Sequence, residues 1–375
     1  MNLKGLITCF LIEQGIRKTE RNLFNFGRIK AAIDWLSTAQ DATDDDGVSL
    51  RYSLIFGWSP SYPETTGYII PTFLNYARLT GSNEYLDRAF RMGDWEISIQ
   101  NKDGSFFGGP WGSRLGKFVF DTGQIVFGLI RLYTHGKDEK YLEAAQKASD
   151  WLVSVQDKDG SWSTYTYNNI PHSYYSRVAW ALAQMFILTK KPVYKEASQK
   201  NIEWVLKNQN TNGWFDKTGF KLATHTYPYT HTIAYTIRGI LETGEILKEE
   251  QYINRAITSA SQLLHSMNSD GSFSATFGPN WETGSKFSCL TGNAQISIIF
   301  LRLFEIIGDK KFFVGARKIN NFLKERQLLS IQDPRIRGAI AGSHPIWGGY
   351  QRFAFPNWAT KFFADALMLE EKLAK

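Results

Sequence analysis

Two carboxylates stand near the starts of apolar segments: Glu64 in GWSPSYPETTG and Asp121 in FDTGQ. Paired carboxyl groups across a cleft perform glycoside hydrolysis, one donating a proton and the other acting as base or nucleophile. Read as structure alone, Asp121 caps a helix and Glu64 sits in a first turn, where the helix dipole favours it. A second group is His172, Tyr175 and Arg177 of PHSYYSR, with His231 of THTYPYTHT. It suits proton abstraction beside a uronate: arginine neutralises the acid while tyrosine or histidine moves the proton, as in a lyase or epimerase. The plainer reading pairs Arg177 with a helix carboxylate. A third group, Arg335, Arg337, Arg352 and Lys361, reads as a carboxylate or phosphate clamp, or else as a solvated basic rim.

Aromatic and polar residues of the kind that hold sugar rings lie in the same segments: Trp58, Tyr62, Trp111 with Arg114, Gln124, Tyr174, His225, Tyr227 and Tyr229. Trp281, Glu282, His344, Trp347, Tyr350 and Asn357 continue the set. All are candidate substrate contacts, against the alternative that they fill space. No metal and no cofactor is expected. His225 and His231 lie six apart without a cysteine or second carboxylate beside them, and Asp44, Asp45 and Asp46 read as a solvated loop. Neither a phosphate-cradling glycine loop nor a Gly-x-Ser-x-Gly elbow is present.

What positions these residues is a repeat. A bulky apolar residue is followed five positions on by a side-chain amide at Trp35/Gln40, Trp95/Gln100, Trp151/Gln156, Trp204/Gln209, Leu263/Asn268 and Phe322/Gln327. The period of about 57 residues tiles the chain, and repeats of that length dictate architecture. After the amide come turns such as NKDG, DKDG, NTNG and SDG, where Asp-Gly and Asn-Gly tolerate positive φ. The sixth copy departs, continuing as LLSIQDP.

Each copy predicts two helices. The amphipathic ones run over 27–40, 84–100, 140–156, 194–209, 251–267 and 311–327. The more apolar ones run over 65–80, 121–135, 174–189, 231–247, 290–307 and 357–373. Segments such as NAQISIIFLRLF are apolar on more than one face and must be buried. The expected fold is all-α, an (α/α)6 toroid with these helices as inner ring, one domain over 1–375 with an N-terminal cap segment at 1–26. The connections into the inner helices are long, roughly 17 to 30 residues where bundle loops run about 2–8, and all open on one face. The candidates above lie there, four of the six histidines included. The short-turn face carries no comparable set.

Hydrophobic residues make up 43% and charged residues 21% of the chain, so a large core is expected rather than disorder. The formal charge of +7 comes without a Lys/Arg block, so no nucleic-acid partner is expected. Cys9 and Cys289 suggest neither disulfide nor zinc. The run GLITCFLI is too short to span a membrane and lacks a cleavage site. No integral membrane span and a cytoplasmic location are the expectations.

Gln156-DKDGSW resembles the Gln-x-x-Asp-Gly-x-Trp repeat of squalene–hopene cyclases and related toroids, where the repeat ties the ends of outer helices. The catalytic Asp-x-Asp-Asp element of the cyclases is absent; DATDDDG lies at an outer-helix end. FDTGQIVFGL and GSHPIWGGYQRFAFPNWATKFFADALM resemble toroid proteins of bacterial exopolysaccharide and O-antigen clusters, which are often labelled polysaccharide biosynthesis or prenyltransferase-like. That resemblance implies a carbohydrate-active protein of surface-polysaccharide biosynthesis or modification. Its partner would be an oligo- or polysaccharide, lipid-linked or anionic, and its chemistry lyase- or epimerase-like or hydrolytic. A non-catalytic glycan-binding or scaffolding subunit is the second reading and an isoprenoid enzyme the third. A deep, aromatic, nearly uncharged pocket would mark the third, and a cleft lined by Arg and His would tell against it.

Overall fold

The computed structural model describes residues 1–13, 23–113 and 115–374. Arg114 and residues 14–22 of the expected 1–26 cap segment lie outside the described residues. The first helix, α1 (Leu3–Glu13), precedes two interleaved sets of six. The outer helices are α2 (Asn25–Asp41), α4 (Asn83–Ile99), α6 (Glu139–Ser154), α8 (Pro192–Lys207), α10 (Glu250–His265) and α12 (Lys310–Lys324). The inner helices are α3 (Pro63–Thr80), α5 (Val119–Gly136), α7 (Ser176–Thr189), α9 (Thr230–Leu247), α11 (Leu290–Ile307) and α13 (Asn357–Leu373).

The outer helices bury one stripe each. On α12 it is Phe312, Ala316, Ile319, Phe322 and Leu323, the three- and four-residue spacing of an amphipathic helix. The inner helices are buried nearly all round. α11 alone among the described helices is long and apolar enough to cross a membrane, and it stands inside the ring with 72% of that span buried. Each inner helix packs on the next, and α13 packs on α3, so the ring closes as an (α/α)6 toroid. Each later outer helix packs on the inner helix preceding it, across the short turn, while α2 packs on α13. The packing hairpin is therefore inner-then-outer, and the first outer helix completes the last hairpin. Left-handed residues end five of the inner helices: Gly81, Lys137, Lys190, Lys248 and Gly308.

The repeated amide is a fastener. Gln100 Nε2 donates to Gly104 O in its own turn (3.0 Å) and to Ala144 O on the next outer helix (2.9 Å). Gln156 joins Gly160 O to Ala197 O in the same way. Gln209 reaches Arg255 O at 3.0 Å, and Gln40 reaches Asp46 O and Arg88 O. The turn glycines need both their φ and their missing side chain. Gly104, Gly160, Gly213 and Gly271 have φ from +83° to +92°, and a Cβ on Gly104, Gly160 or Gly271 would collide with a carbonyl oxygen of the next outer helix. The departing sixth copy recovers the device eleven residues on. Gln327 Nε2 bonds Gly338 O (3.1 Å) and Arg28 O on α2 (2.9 Å), and Gly338 has φ +87°.

The long connections, from 42–62 to 325–356, emerge together at the N-terminal ends of the inner helices. Arg51–Ser53 pairs antiparallel with Gly57–Trp58 on one edge and Ala354–Pro356 on the other, joining the first connection to the last. α1 bridges the same two. Asn2 N donates to Leu54 O, Ile346 N donates to Glu13, and Phe10 lies against Trp347.

Candidate functional site

The face with the long connections opens into a cavity of about 470 Å³ along the ring axis. Glu64 and Asp121 both line it, from the first turns of the adjacent inner helices α3 and α5. They are 8% and 4% exposed, and Tyr62 lines the cavity beside them. Gly109 N–H donates to Asp121 Oδ1 at 3.1 Å. Burial pushes both carboxyls upward, and the Asp121 charge pushes Glu64 further. Hydrogen bonds from Gly109, from the helix's own backbone and from Tyr62 hold Asp121 partly down. Two neighbouring buried carboxyls that are both held above the usual carboxylate range retain a proton between them more readily than free carboxyls do, so the pair can supply an acid and a base.

His231 is a third titratable wall residue. Its Nδ1 lies 2.9 Å from Gln295 Oε1, which assigns the proton to Nδ1 and leaves Nε2 as an acceptor. Burial pushes its pKa down to about 4, so the ring is neutral at physiological pH. Gln295 lies in the apolar run NAQISIIFLRLF, where its spacing marks only an inner helix.

Most of the remaining wall residues are aromatic: eight tyrosines, three phenylalanines and Trp358. Tyr62, Tyr174, Tyr175, Tyr229 and Tyr350 stand where the sequence placed them. Tyr229 lies against Tyr350 with ring centroids 5.0 Å apart, and Trp358 Nε1 donates to the Tyr350 hydroxyl. Tyr68 and Tyr235 form the floor, hydroxyl to hydroxyl at 3.5 Å, with Phe362 packed against both. These floor residues lie mid-helix, where an aromatic reads as core. Among the described residues the only charged side chain on the walls besides the acid pair and His231 is that of Lys221 at the rim.

Several expected partners go elsewhere. His172 is buried with both ring nitrogens against backbone carbonyls, Gly219 O at 3.0 Å and Tyr167 O at 2.8 Å, and it braces two loops. Burial pushes it down to about 4. His225 is engaged beside it, Nδ1 accepting from Gly219 N, so it does not converge with His231 on a metal. Arg177 lies beneath the floor: Nε donates to Gln124 Oε1 at 2.7 Å, and the guanidinium stacks 4.5 Å from the Tyr235 ring. Arg177 has no helix carboxylate as partner, and Gln124 is its support.

The expected clamp of Arg335, Arg337, Arg352 and Lys361 does not assemble. Arg335 pairs with Asp333, Arg337 bonds the Leu329 carbonyl, Arg352 is exposed, and Lys361 pairs with Asp365 at 2.6 Å on the far side of the floor. Trp58 packs on Trp35 and Tyr52. Trp281 donates to Asn212 O and packs on Trp214. Tyr227 donates to Glu282 outside the cavity. Asn357 bonds Ser49 O and Thr65 Oγ1, His344 pairs with Glu13, and Trp347 meets Phe10. Trp111 stacks edge-on against Trp95 and is 42% exposed at the rim.

The described residues thus form a toroid whose bore is entered past a buried carboxyl pair. In sequence, residues 59–243 match the squalene–hopene cyclase C-terminal domain. The chain is similar to the lanosterol synthase of Candida albicans, 33% identical over 123 residues that make up 31% of this chain and 16% of that one. It is also similar to the squalene–hopene cyclase of Bradyrhizobium diazoefficiens, 28% identical over 134 residues, 32% of this chain and 19% of that one. The chain thus spans less than a fifth of the length of either relative. In structure it is similar to an unsaturated glucuronyl hydrolase specific for heparin (TM-score 0.72, 15% identity, covering 93% of this chain and 97% of that one). The cellobiose 2-epimerase of Bacillus thermoamylovorans is similar as well (TM-score 0.73, 11% identity, 92% and 96%). At these identities the shared property is the toroid fold.

Proposed function

We propose that the chain is a carbohydrate-active enzyme of surface-polysaccharide biosynthesis or modification that cleaves a glycosidic bond by acid–base chemistry in the tyrosine-lined cavity. The observation that carries the reading is the pair Glu64 and Asp121, buried together on the cavity wall beside Tyr62 and both pushed up in pKa by that burial. Glu64 donates its proton to the departing glycosidic oxygen. Asp121 takes a proton from the water whose oxygen bonds to the anomeric carbon. Tyrosine faces stack on sugar rings while their hydroxyls bond sugar hydroxyls, and eight of the twelve aromatic residues are tyrosines. The hydrolytic route is preferred over proton abstraction beside a uronate because Arg177, which would neutralise the uronate carboxylate, is held away from the cavity. The lack of arginine on the described walls favours neutral sugar units at the cleaved bond over the acidic or phosphate-linked glycan expected from sequence. The solved toroids named for glucuronyl hydrolysis and for epimerisation of cellobiose support a carbohydrate substrate, acidic in the first and neutral in the second.

A second reading, an isoprenoid enzyme, draws on the nearly uncharged aromatic walls and on the match to the cyclase domain. A protonated carboxyl beneath aromatic faces suits a carbocation. One experiment separates the two. The protein is incubated with a panel of neutral and uronate-containing oligosaccharides, followed by NMR, and with linear polyprenes, followed by gas chromatography. Glycan turnover that falls about 10²–10⁴-fold in Asp121→Asn and in Glu64→Gln is the expected result. Polyprene conversion instead moves the assignment to the second reading. Glycan binding without turnover leaves the scaffolding role.

A further inference from the structure

Beneath the floor the bore opens again, toward the short turns, into a second chamber of about 700 Å³. Its walls are the axis-facing stripes of all six inner helices, with Tyr68 common to both chambers. Seven basic and four acidic side chains line it. The acids are taken: Glu242 by Arg302 and Arg238, Glu305 by Arg302 and Lys372, Asp365 by Lys361, and Glu371 by Asn25. Among the described residues, Arg78, Arg131 and Arg177 have no carboxylate partner. The Arg131 guanidinium donates to Asn75 Oδ1 at 2.8 Å and makes no ion pair.

Cations at the C-terminal ends of helices offset the helix dipole, which accounts for Arg78 and Arg131 in part. It does not account for Arg177, which sits in the first turn of α7, where the dipole opposes a cation. Arg177 is 2% exposed and its Nη1 has no hydrogen-bond partner; nor has the buried Nε1 of Trp180, one turn along the same helix and on the same wall. Buried donors left unpaired each cost about 1–3 kcal/mol, and they point to an acceptor that completes them. The volume is that of a small-molecule site, and the faces of Trp180 and Phe127 flank the guanidinium at 5.2 and 5.3 Å.

We propose that this chamber binds a small polyanion carrying phosphate or carboxylate groups, its oxygens received by Arg177 and Trp180 at the floor and by Arg131 and Arg78 toward the opening. The site is separate from the acid pair and does not rest on the reaction proposed there. It is nevertheless in electrical contact with it, because the Arg177 charge acts on Glu64.

The test is isothermal titration calorimetry of the full chain with diphosphate and with citrate at low ionic strength. Saturable binding of one or both is expected, and the tighter of the two distinguishes a phosphate from a carboxylate ligand. Arg78→Gln, at an exposed position, and the double variant with Arg131→Gln should weaken it progressively, by about tenfold or more in the double variant. Binding should also perturb tryptophan fluorescence, and Trp180→Phe should remove that signal. No saturable binding of either anion, or unchanged affinity in the double variant, would overturn the proposal.

Discussion

Glu96 on α4 is fully buried, and neither carboxyl oxygen has a hydrogen-bond partner among the described residues. Burial, then the charges of Asp45 and Asp121, push its pKa well above the usual carboxylate range. The folded chain therefore keeps a proton that the unfolded chain releases near pH 4.3. Its contribution is complete below that pH and is lost as pH rises toward the raised value, at up to about 1.4 kcal/mol per pH unit. Urea unfolding of Glu96→Gln across the mildly acidic to neutral range should show a shallower decline than the parent and higher stability at the upper end. A parallel decline would mean that Glu96 holds no extra proton. Residues of this kind divide sharply in how far the sequence exposes them. Glu64 and Asp121 were legible because the first helical turn after a long loop stands at the mouth end of its helix. Arg177 and Lys361 occupy similar positions, yet their side chains lie beneath the floor. At 100° per residue, one step around a helix sends a side chain to another compartment, and spacing along the chain does not record which face meets the axis.

Helix by helix, periodicity was nearly sufficient, because an inner helix buried all round and an outer helix with one buried stripe look different in any window of three turns. What spacing could not record was how closely the inner helices approach. Gly67 on α3 faces α5 so tightly that a Cβ would lie 2.5 Å from Ile125 Cα, and Gly128 on α5 faces the Gly67 carbonyl in return. Gly67→Ala has no flexible side chain to displace and must push α3 and α5, the carriers of Glu64 and Asp121, away from each other. A loss of about 1–3 kcal/mol in stability is expected from overpacking, together with a fall in kcat larger than any change in KM, as the acid pair separates. Stability measured by urea and turnover measured by NMR check these effects independently. The sixth turn was illegible for a related reason. Its glycine, Gly338, is displaced by an insertion, and its positive φ, its bond from Gln327 and the collision with α2 identify it as the counterpart of Gly104.

For the molecule as a whole, the glutamine fasteners join α2 to α4, α4 to α6, α6 to α8 and α8 to α10, and Gln327 joins the last outer helix to the first. Gln327→Ala removes the two buried bonds its Nε2 donates and the longer one its Oε1 accepts from Arg28, and leaves the Arg28 and Gly338 carbonyls without this donor, so a loss of about 2–4 kcal/mol is expected. The same change at Gln156 should cost a similar amount, although Gln156 joins helices adjacent in the chain and Gln327 joins helices at opposite ends. If the closing contact forms late in folding, Gln327→Ala should mainly speed unfolding, which stopped-flow chevrons of the two variants would show.

The fasteners are not all alike. Asn268, one methylene shorter than glutamine, bonds Ser272 in its own turn, and among the described residues no bond from it to α12 is found. A belt with six joints and one of them unbuckled has a place to give. Breathing of the ring, seen as the earliest amide hydrogen exchange, should start where α10 meets α12. A large guest reaching the bore would find its hinge there, on the side of the ring away from the acid pair.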